Sequence, residues 1–508
     1  MEWMIEKKDR QKVELLRYLV SRPEIKLPLK VVQEYFDWSK YMVLSTIRGL
    51  FDDMQEFYGE EPSFFKLSED EKMVELTQNR NVDSNVFALQ YMRQSIPWQL
   101  MRETFNETMR SYEDFAVRNL TIVSSARNGK LQLDEFFEQH GITITQDYTL
   151  TGNEAEIRAV YFRLFVKYFA DRIFPFSDEE LALANQAIKA IIKIISPEET
   201  KIRQSKRIAL RFSTAIWLER LQLGHFVEDD AIDDLLLPND QLNDKSQRLI
   251  AYFEQQVKLR VPDISDDHLH REARYALIAL FSIDVGYEVG RYENLTPSAA
   301  GMIEGFIRLV DRHYDDFFGY QLTARERDLI REVFFGTLIG AVVSPTSDDR
   351  QMVVRFDAAY EQFPLMADFT LNLIDDIAER RQLDVTAARN AYFEILYVGF
   401  ASVFDMHRVF PKIKVAIDIN YQFGLEAILT DMLLGLRAMN VEVSEFIDDD
   451  TDILISDINH AQIPEENTFI WPTMPTSLDF EQLRRRLSEM KVEKFEEERG
   501  IKLRFPTN

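Results

Sequence analysis

Two stretches of the chain carry residues able to read a nucleic acid. On a helix expected from Ser39 to about Phe57, Lys40, Tyr41, Leu44, Ser45 and Arg48 share the outward face, opposite an apolar seam of Val43, Ile47, Leu50 and Met54. On a second helix, expected from Ser124 to about His140, the outward residues are Ser124, Ser125, Arg127, Asn128 and Lys130. Arg, Lys and Asn can hydrogen-bond base edges, and Ser can bond phosphate. Between Arg118 and Leu133 stand Arg118, Arg127 and Lys130 and no acidic residue. That is a local exception in a chain with 86 Asp plus Glu against 60 Lys plus Arg, net charge -26. Residues 1–165 hold 21 basic and 27 acidic side chains, and the remainder 39 and 59. Gly129 weakens the middle of its helix by about 1 kcal/mol relative to Ala, so it marks a close backbone approach or an altered helix there.

The seven histidines are the other candidates. His225, after Leu223-Gly224 and before Val227-Glu228-Asp229-Asp230, can accept a phosphoryl group or cap a helix end. His313 in Arg312-His313-Tyr314-Asp315 is a further regulatory candidate, and so is His407 in Asp405-Met406-His407-Arg408, at the border with the α/β part, where a charge change could shift domain packing. His268 and His270 stand two apart, outside helical metal-ligand spacing. His140 beside Gly141 reads as structural, at a helix C-terminus where its cation is favourable. His460 follows a strand end and carries no assignment.

Much chemistry is excluded. The chain has no Cys, hence no disulfide, iron–sulfur cluster, thiolate zinc site or cysteine nucleophile. No metal site and no cofactor is expected. No P-loop, nucleophile elbow, glycine-rich dinucleotide loop or carboxylate pair stands in a convincing context, so no catalytic residue is assigned and an enzyme is not expected. The acidic balance argues against a generally basic nucleic-acid coat or a charge-held membrane protein. The start, MEWMIEKKDRQK, lacks a signal-peptide core. The apolar run from Val333 to Pro345 falls short of the roughly 20 residues that span a bilayer. The expectation is a cytoplasmic protein that does not enter the membrane.

The positioning elements follow from the pattern. A helix over Asp9–Val20, a second over Pro28–Phe36, and the Ser39-capped third precede two short strands around Glu69-Asp70-Glu71, within about 64–77. Three helices and a hairpin in this order make a winged helix-turn-helix, whose second helix braces the third for the major groove. The order recurs: a helix from Ser84 to Phe105, one from Ser111 or Tyr112 to Val117, one capped by Ser124, then ITIT and YTLT as a wing near 142–151. Gly152-Asn153-Glu154 opens a long helix with Ile157, Val160, Tyr161, Leu164 and Phe165 on one face. Within 166–405, LGHF at 223–226 and IGAV at 339–342, RLIAYFEQ and PLMADFTL, YALIALFSI and YFEILYVGF recur at offsets of 116 or 117. They suggest two copies of an all-helical bundle of about five helices. Strands at Ile413–Ile419, 441–447 and 451–456 with a helix at about 424–438 form an α/β rhythm with a parallel sheet. The loop from Asp418 to Gly424 reads as structural or as a protein-contact surface, and Asp448-Asp449-Asp450 as a solvated face.

This order of parts resembles the Mga/AtxA-like family of Gram-positive global and virulence transcription regulators, over essentially the whole chain. The most specific pieces are Ser124-Ser125-Ala126-Arg127, EFFEQHGITI and LTGNEAEIRAVYFRLF, in which Gly152, Glu154, Ile157 and Arg158 fit the family's helix opening after the wing. LPLKVVQEYFDWSKYMVLSTIRGL fits the first winged domain. The resemblance implies a mainly α, multidomain protein: winged-helix DNA-binding domains at 1–80 and 81–165, phosphotransferase-regulated helical domains at 166–285 and 286–405, and an enzyme-IIB-like α/β domain at 406–508 serving dimerisation. It implies a homodimer on double-stranded DNA, tuned by histidine phosphorylation linked to sugar uptake, with a phosphotransferase-system phosphocarrier protein as a further partner. His225 and His407 lie where regulatory histidines are expected, and Ala341 stands at the place matching His225. Asp418 stands near the position where a working IIB domain has Cys, so phosphoryl transfer there is not expected. The alternatives are a phosphotransferase-linked interaction module without DNA binding, and a degenerate enzyme whose 418–424 loop handles phosphate.

Overall fold

The computed structural model describes residues 2–21, 26–58, 65–76, 84–169, 174–196, 202–228, 230–283, 291–344, 359–360, 362–420, 424–436, 439–458 and 463–504. The protein is mainly α-helical and multidomain, with a small parallel sheet near the C-terminus. It divides into two compact units, Met1–Thr296 with Ile339–Thr346, and Pro297–Leu338 with Ser347–Asn508. Among the described residues, no helix is long and apolar enough to cross a membrane.

The first unit opens with α1 (Lys7–Val20), β1 (Lys26–Pro28), α2 (Leu29–Phe36), α3 (Lys40–Tyr58), β2 (Phe65–Leu67) and β3 (Met73–Leu76). Val43, Ile47, Leu50 and Met54 are buried as the seam of α3. Ser39 Oγ accepts from the Met42 amide at 3.2 Å, the expected cap. Pro28 departs from expectation. It precedes the helix with extended backbone and ends a third strand, β1, which pairs antiparallel with β3 so that Leu27 faces Val74. The sheet order is β1-β3-β2.

The second set is α4 (Ser84–Gln94), α5 (Ile96–Phe105), α6 (Tyr112–Arg118), α7 (Val123–Glu138), the hairpin β4 (Thr143–Ile144) and β5 (Leu150–Thr151), and α8 (Glu154–Tyr168). The single helix expected over 84–105 is two. Ser95 takes extended backbone and caps α5 with Pro97 in its first turn, where a missing N–H costs nothing. Ser111 and Asn153 cap α6 and α8. Ser124 does not cap α7: the cap position is Ile122, and Ser124 lies one residue inside the helix. Gly152, at φ 145°, faces the Gly141 carbonyl, which a Cβ would approach to 2.6 Å. One core runs from Met4 and Val13 through Phe87, Trp98 and Phe137 to Phe212 and Ile216. Both helix-hairpin sets therefore share their apolar interior with the next helices along the chain.

Those are α9 (Asp178–Ile195), α10 (Gln204–Gln222), the short α11 (Asp230–Asp233), α12 (Asp244–Arg260) and α13 (Asp266–Ile283). Later come α14 (Pro297–Phe318), α15 (Ala324–Val343), α16 (Pro364–Arg381) and α17 (Val385–Val403). Long helices beginning at 178, 204, 244 and 266 are followed by helices beginning at 297, 324, 364 and 385, offsets of 119 or 120. Among the described residues the order repeats with four long helices, and the short α11 makes five in the first set. The spacing also shifts all three sequence matches, by about two to four residues. Leu223 ends α10 and His225 follows it, whereas Ile339-Gly340-Ala341-Val342 lies inside α15, so apolar pattern, not equivalent position, made them look alike.

The C-terminal region of the second unit contains α18 (Met406–Val409), β6 (Ile413–Asp418), α19 (Leu425–Leu434), β7 (Val441–Ser444), β8 (Ile453–Ser456), β9 (Thr468–Ile470) and α20 (Ser477–Arg499). The sheet order is β7-β6-β8-β9, all parallel. Its core joins Ile413, Val415 and Ile453 to Leu429 of α19 and Leu487 of α20. Strand β9 and helix α20 were not foreseen. Asp448, Asp449 and Asp450 are exposed, as expected of a solvated face. Asp418 ends β6, and residues 421–423 of the next loop, like His460, lie outside the described residues.

Helix α20 buries Lys491 completely, its ammonium 4.6 Å from the centre of the Phe410 ring. Burial pushes this lysine down to about 7 from its ordinary 10.5. Between those values the unfolded chain holds a proton there that the folded chain does not, so folding is favoured as pH rises. Stability against urea should increase from pH 7 toward pH 10 in the wild type, and Lys491→Met should remove that part of the slope. Parallel slopes in the two proteins would refute the assignment.

Candidate nucleic-acid interface

Helix α7 is held at its N-terminal end by α6 and along its inner face by α5. Gly129 makes the inner contact: a Cβ there would lie 2.8 Å from Ile96 Cγ2 and 3.1 Å from Leu100 Cδ1. The glycine thus marks a close approach of two helices, one of the two readings its position allowed. Arg118 fixes α6 to α5. Its Nη1 and Nη2 donate to the two oxygens of Glu103 at 2.8 and 2.7 Å, and its Nε donates to Asp114 at 2.8 Å. Asn119 adds a bond to Glu103 at 3.1 Å. Arg118 is therefore engaged within the domain, although the sequence places it in the basic stretch.

The outer face of α7 presents Ser124, Arg127, Asn128 and Leu131, followed by Glu135 and Glu138. Arg127 lies 5.7 Å from the centre of the Tyr112 ring, which in turn meets the wing residue Tyr148 edge-on at 5.6 Å. This stack orients the guanidinium. Lys130 is half-buried and donates to both oxygens of Asp134, at 2.8 and 2.6 Å, so its charge is largely compensated. Ser125 is half-buried. The acidic residues further along confine a phosphate-facing role to the first two turns of α7. Around the same end, Val117, Leu120 and Ile122 are exposed, and Leu131 is exposed on the Arg127–Asn128 stripe. None of the four was singled out from sequence. Leu131 follows Arg127 by four positions and Asn128 by three, so helical spacing alone places it on that face.

On the first motif, Lys40, Tyr41 and Ser45 are exposed on α3, and Leu44 is half-buried. Arg48 is exposed, but its Nη2 donates to Glu71 of the β2–β3 turn at 2.5 Å. That bond ties α3 to its own hairpin.

The regulatory candidates occupy three different settings. The His225 imidazole lies 2.5 Å from Glu107, which follows α5 with φ 53°. His313 of α14 lies 3.0 Å from Asp376 of α16. Although burial would raise Asp376, Arg380 and His313 hold it below the ordinary carboxylate range. His407 is exposed in α18. His140 is buried at the C-terminal end of α7, with Nδ1 2.8 Å from Glu156. His268 stacks on Phe226 at 4.8 Å.

Beneath His225 lies a buried charge cluster. Arg158 of α8 donates from Nε to Glu154 at 2.8 Å and from Nη1 and Nη2 to Glu272 of α13 at 2.8 and 3.0 Å. Nη2 also reaches the His225 carbonyl at 3.1 Å. Arg220 of α10 pairs with Glu154 at 2.9 and 2.8 Å. Glu272 further accepts from Trp217 Nε1 at 2.8 Å and the Val227 amide at 2.7 Å. Burial alone would depress the Arg158 guanidinium, but Glu272 and Glu154 hold it above its ordinary value. Glu154 is held below the carboxylate range by Arg158 and Arg220 despite burial. Glu154 and Arg158 stand at i, i+4, a spacing that could have flagged the pair, whereas the distant partners Arg220 and Glu272 have no local signature.

A helix pair joined by a tight turn, with a hairpin after the second helix, defines a winged helix-turn-helix. Residues 80–165 match the Mga helix-turn-helix domain, a non-catalytic module of transcriptional regulators, which accords with a non-enzymatic protein and supports a DNA-binding regulatory role. No curated protein matches the chain. Among the described residues, no group of three or more His, Cys, Asp or Glu is arranged to hold a metal ion.

Two stability outcomes follow from these contacts. Glu272→Ala leaves Arg158 half-compensated in the interior and should cost about 3–5 kcal/mol, read in urea unfolding, while exposed Glu135→Ala should stay within about 0.5 kcal/mol. Gly129→Ala gains helix propensity but must push Ile96 aside, and overpacking of about 1–3 kcal/mol should make it net destabilising. A stabilised Gly129→Ala protein would show that α5 and α7 can separate freely.

Proposed function

We propose that the chain is a DNA-binding transcription regulator that acts as a homodimer and grips double-stranded DNA with two winged helix-turn-helix domains, residues 1–80 and 81–165. The observation that carries this reading is the exposed Ser124–Arg127–Asn128 face of α7 inside the segment that matches a regulator's helix-turn-helix domain. Ile122, at the cap position, has no side-chain oxygen, so the first-turn amides of α7 suit an outside acceptor such as a phosphate. Arg127 and Asn128 are the base readers, Ser124 and Ser125 are phosphate contacts, and Lys130 joins them only when it leaves Asp134. In the first domain Lys40, Tyr41 and Ser45 take the same part, and Arg48 joins them when it leaves Glu71.

Helical domains at 166–285 and 286–405 are the regulatory part of this reading, supported by the repeated helix spacing. Phosphorylation by a phosphotransferase-system phosphocarrier would place about two negative charges on His225, against Glu107. The pair would repel, and the turn after α5 would be pushed away from the helical region. His313 and His407 are secondary acceptors. Residues 406–508 serve dimerisation. The outer side of α19, where Ile428, Met432 and Leu434 are exposed while Leu425, Leu429 and Leu433 are buried, is the surface such a dimer would cover.

The test is duplex binding by the full chain across a salt series. Wild type should bind with a steep salt slope, and Arg127→Ala with Asn128→Ala should lose about 1–3 kcal/mol per base-reading residue. A folded wild-type protein that binds no duplex at low salt would sink the reading.

A further inference from the structure

The turn between α6 and α7 breaks two local preferences at one residue. Leu120 holds φ 50°, the left-handed region that favours Gly or Asn, and its side chain is 96% exposed. The backbone around it is firmly held. The Asn119 amide donates to Phe115 at 3.0 Å, the Thr121 amide to Ala116 at 2.9 Å, and the Asn119 side chain to Glu103. A rigid turn therefore presents an apolar side chain to solvent. Val117, Ile122 and Leu131 are 77%, 64% and 66% exposed. Such violations of local preference concentrate at functional sites.

The surroundings say what would cover them. Leu131 shares the α7 stripe with Arg127 and Asn128, and Leu120 precedes the same helix end. The polar groups available there are few, because Arg118 is spent on Glu103 and Asp114 and Lys130 on Asp134. In the major groove, the apolar feature beside the hydrogen-bonding edges is the thymine C5-methyl. We propose that Leu120 and Leu131 read thymine methyl groups in the major groove and so set the sequence preference of this domain, with Arg127 and Asn128 supplying the polar contacts. The proposal rests on the DNA-binding reading above.

The probe is a duplex selected by the full-length chain from a randomised pool, compared with the same duplex carrying deoxyuridine in place of thymidine, which lacks only the methyl. Wild type should bind the deoxyuridine duplex about fourfold more weakly for each thymine methyl that the leucines cover. Leu120→Ala with Leu131→Ala should bind both duplexes alike. Leu120→Asn, which suits the left-handed backbone, should weaken the same discrimination without risk to the fold. Equal binding of the two duplexes by wild type, or full discrimination retained by the double variant, would overturn the proposal while leaving DNA binding intact. Failure of wild type to select any duplex would instead overturn the DNA-binding reading, and this one with it.

Discussion

The first unit depends on the charge cluster centred on Arg158. A guanidinium cannot be left without counter-charge in an apolar interior, since desolvation alone costs several kcal/mol. Here two carboxylates, Glu154 and Glu272, neutralise Arg158 and Arg220 through bonds of 2.8 to 3.0 Å. The four groups come from α8, α10 and α13. The cluster forms only when the helix leaving the second wing is correctly seated on the helices behind it. An apolar core of equal volume would tolerate sliding, whereas a bidentate Arg–carboxylate contact does not. The cost of burying the charges is thus repaid in register between the winged motif and the helices α10 and α13.

That register bears on His225. Its carbonyl is bound by Arg158 and the amide two residues later by Glu272, so the backbone that carries the imidazole is fixed by the cluster. The side chain alone faces Glu107 and remains partly exposed. The imidazole is thus held on a fixed backbone within reach of Glu107. Glu107 follows α5, and α5 packs along α7 through Gly129. The route from His225 to the outer face of α7 is thus a short run of packed contacts.

Much of the fold was legible because its determinants are local. Ser39, Ser111 and Asn153 cap helices where an oxygen side chain precedes an apolar period, and each has its hydrogen bond. The misses have local and non-local causes. Ser95-Ile96-Pro97 was a visible stop overridden by the apolar period on either side. Strand β1 is only Lys26–Pro28 and exists because β3 lies beside it. The near-match of 223–226 with 339–342 arose because a Gly after an apolar residue ends one helix and is carried within another. At the site, sequence could count cations and their i±4 neighbours but not see the distant partners Glu103 and Glu71. Arg118 meets Asp114 at i−4 and Glu103 on α5, Lys130 meets Asp134 at i+4, and Arg48 reaches Glu71 in the turn of its hairpin. The exposure of Leu120 was hidden, since nothing local marks a turn leucine as turned to solvent, whereas Leu131 was legible from its spacing to Arg127 and Asn128.

The electrostatics of the whole chain favour a small, selective interface. With a net charge of -26, most of the surface repels a polyanion, and non-specific binding, which grows with the number of phosphates neutralised, has little to draw on. The outer face of α7 repeats this on a smaller scale, with Arg127 and Asn128 toward its start and Glu135 and Glu138 toward its end. A helix so graded has one favourable orientation in a groove, N-terminal end inward. Few phosphate contacts also leave little affinity to spare, so groove contacts must supply a larger share of it than in a basic protein. Apolar contacts suit that role because salt does not screen them. On the proposed DNA-binding reading, an acidic body with a small mixed polar and apolar edge gives up total affinity and gains in the ratio of specific to non-specific binding, the quantity that decides occupancy when competing sites are abundant.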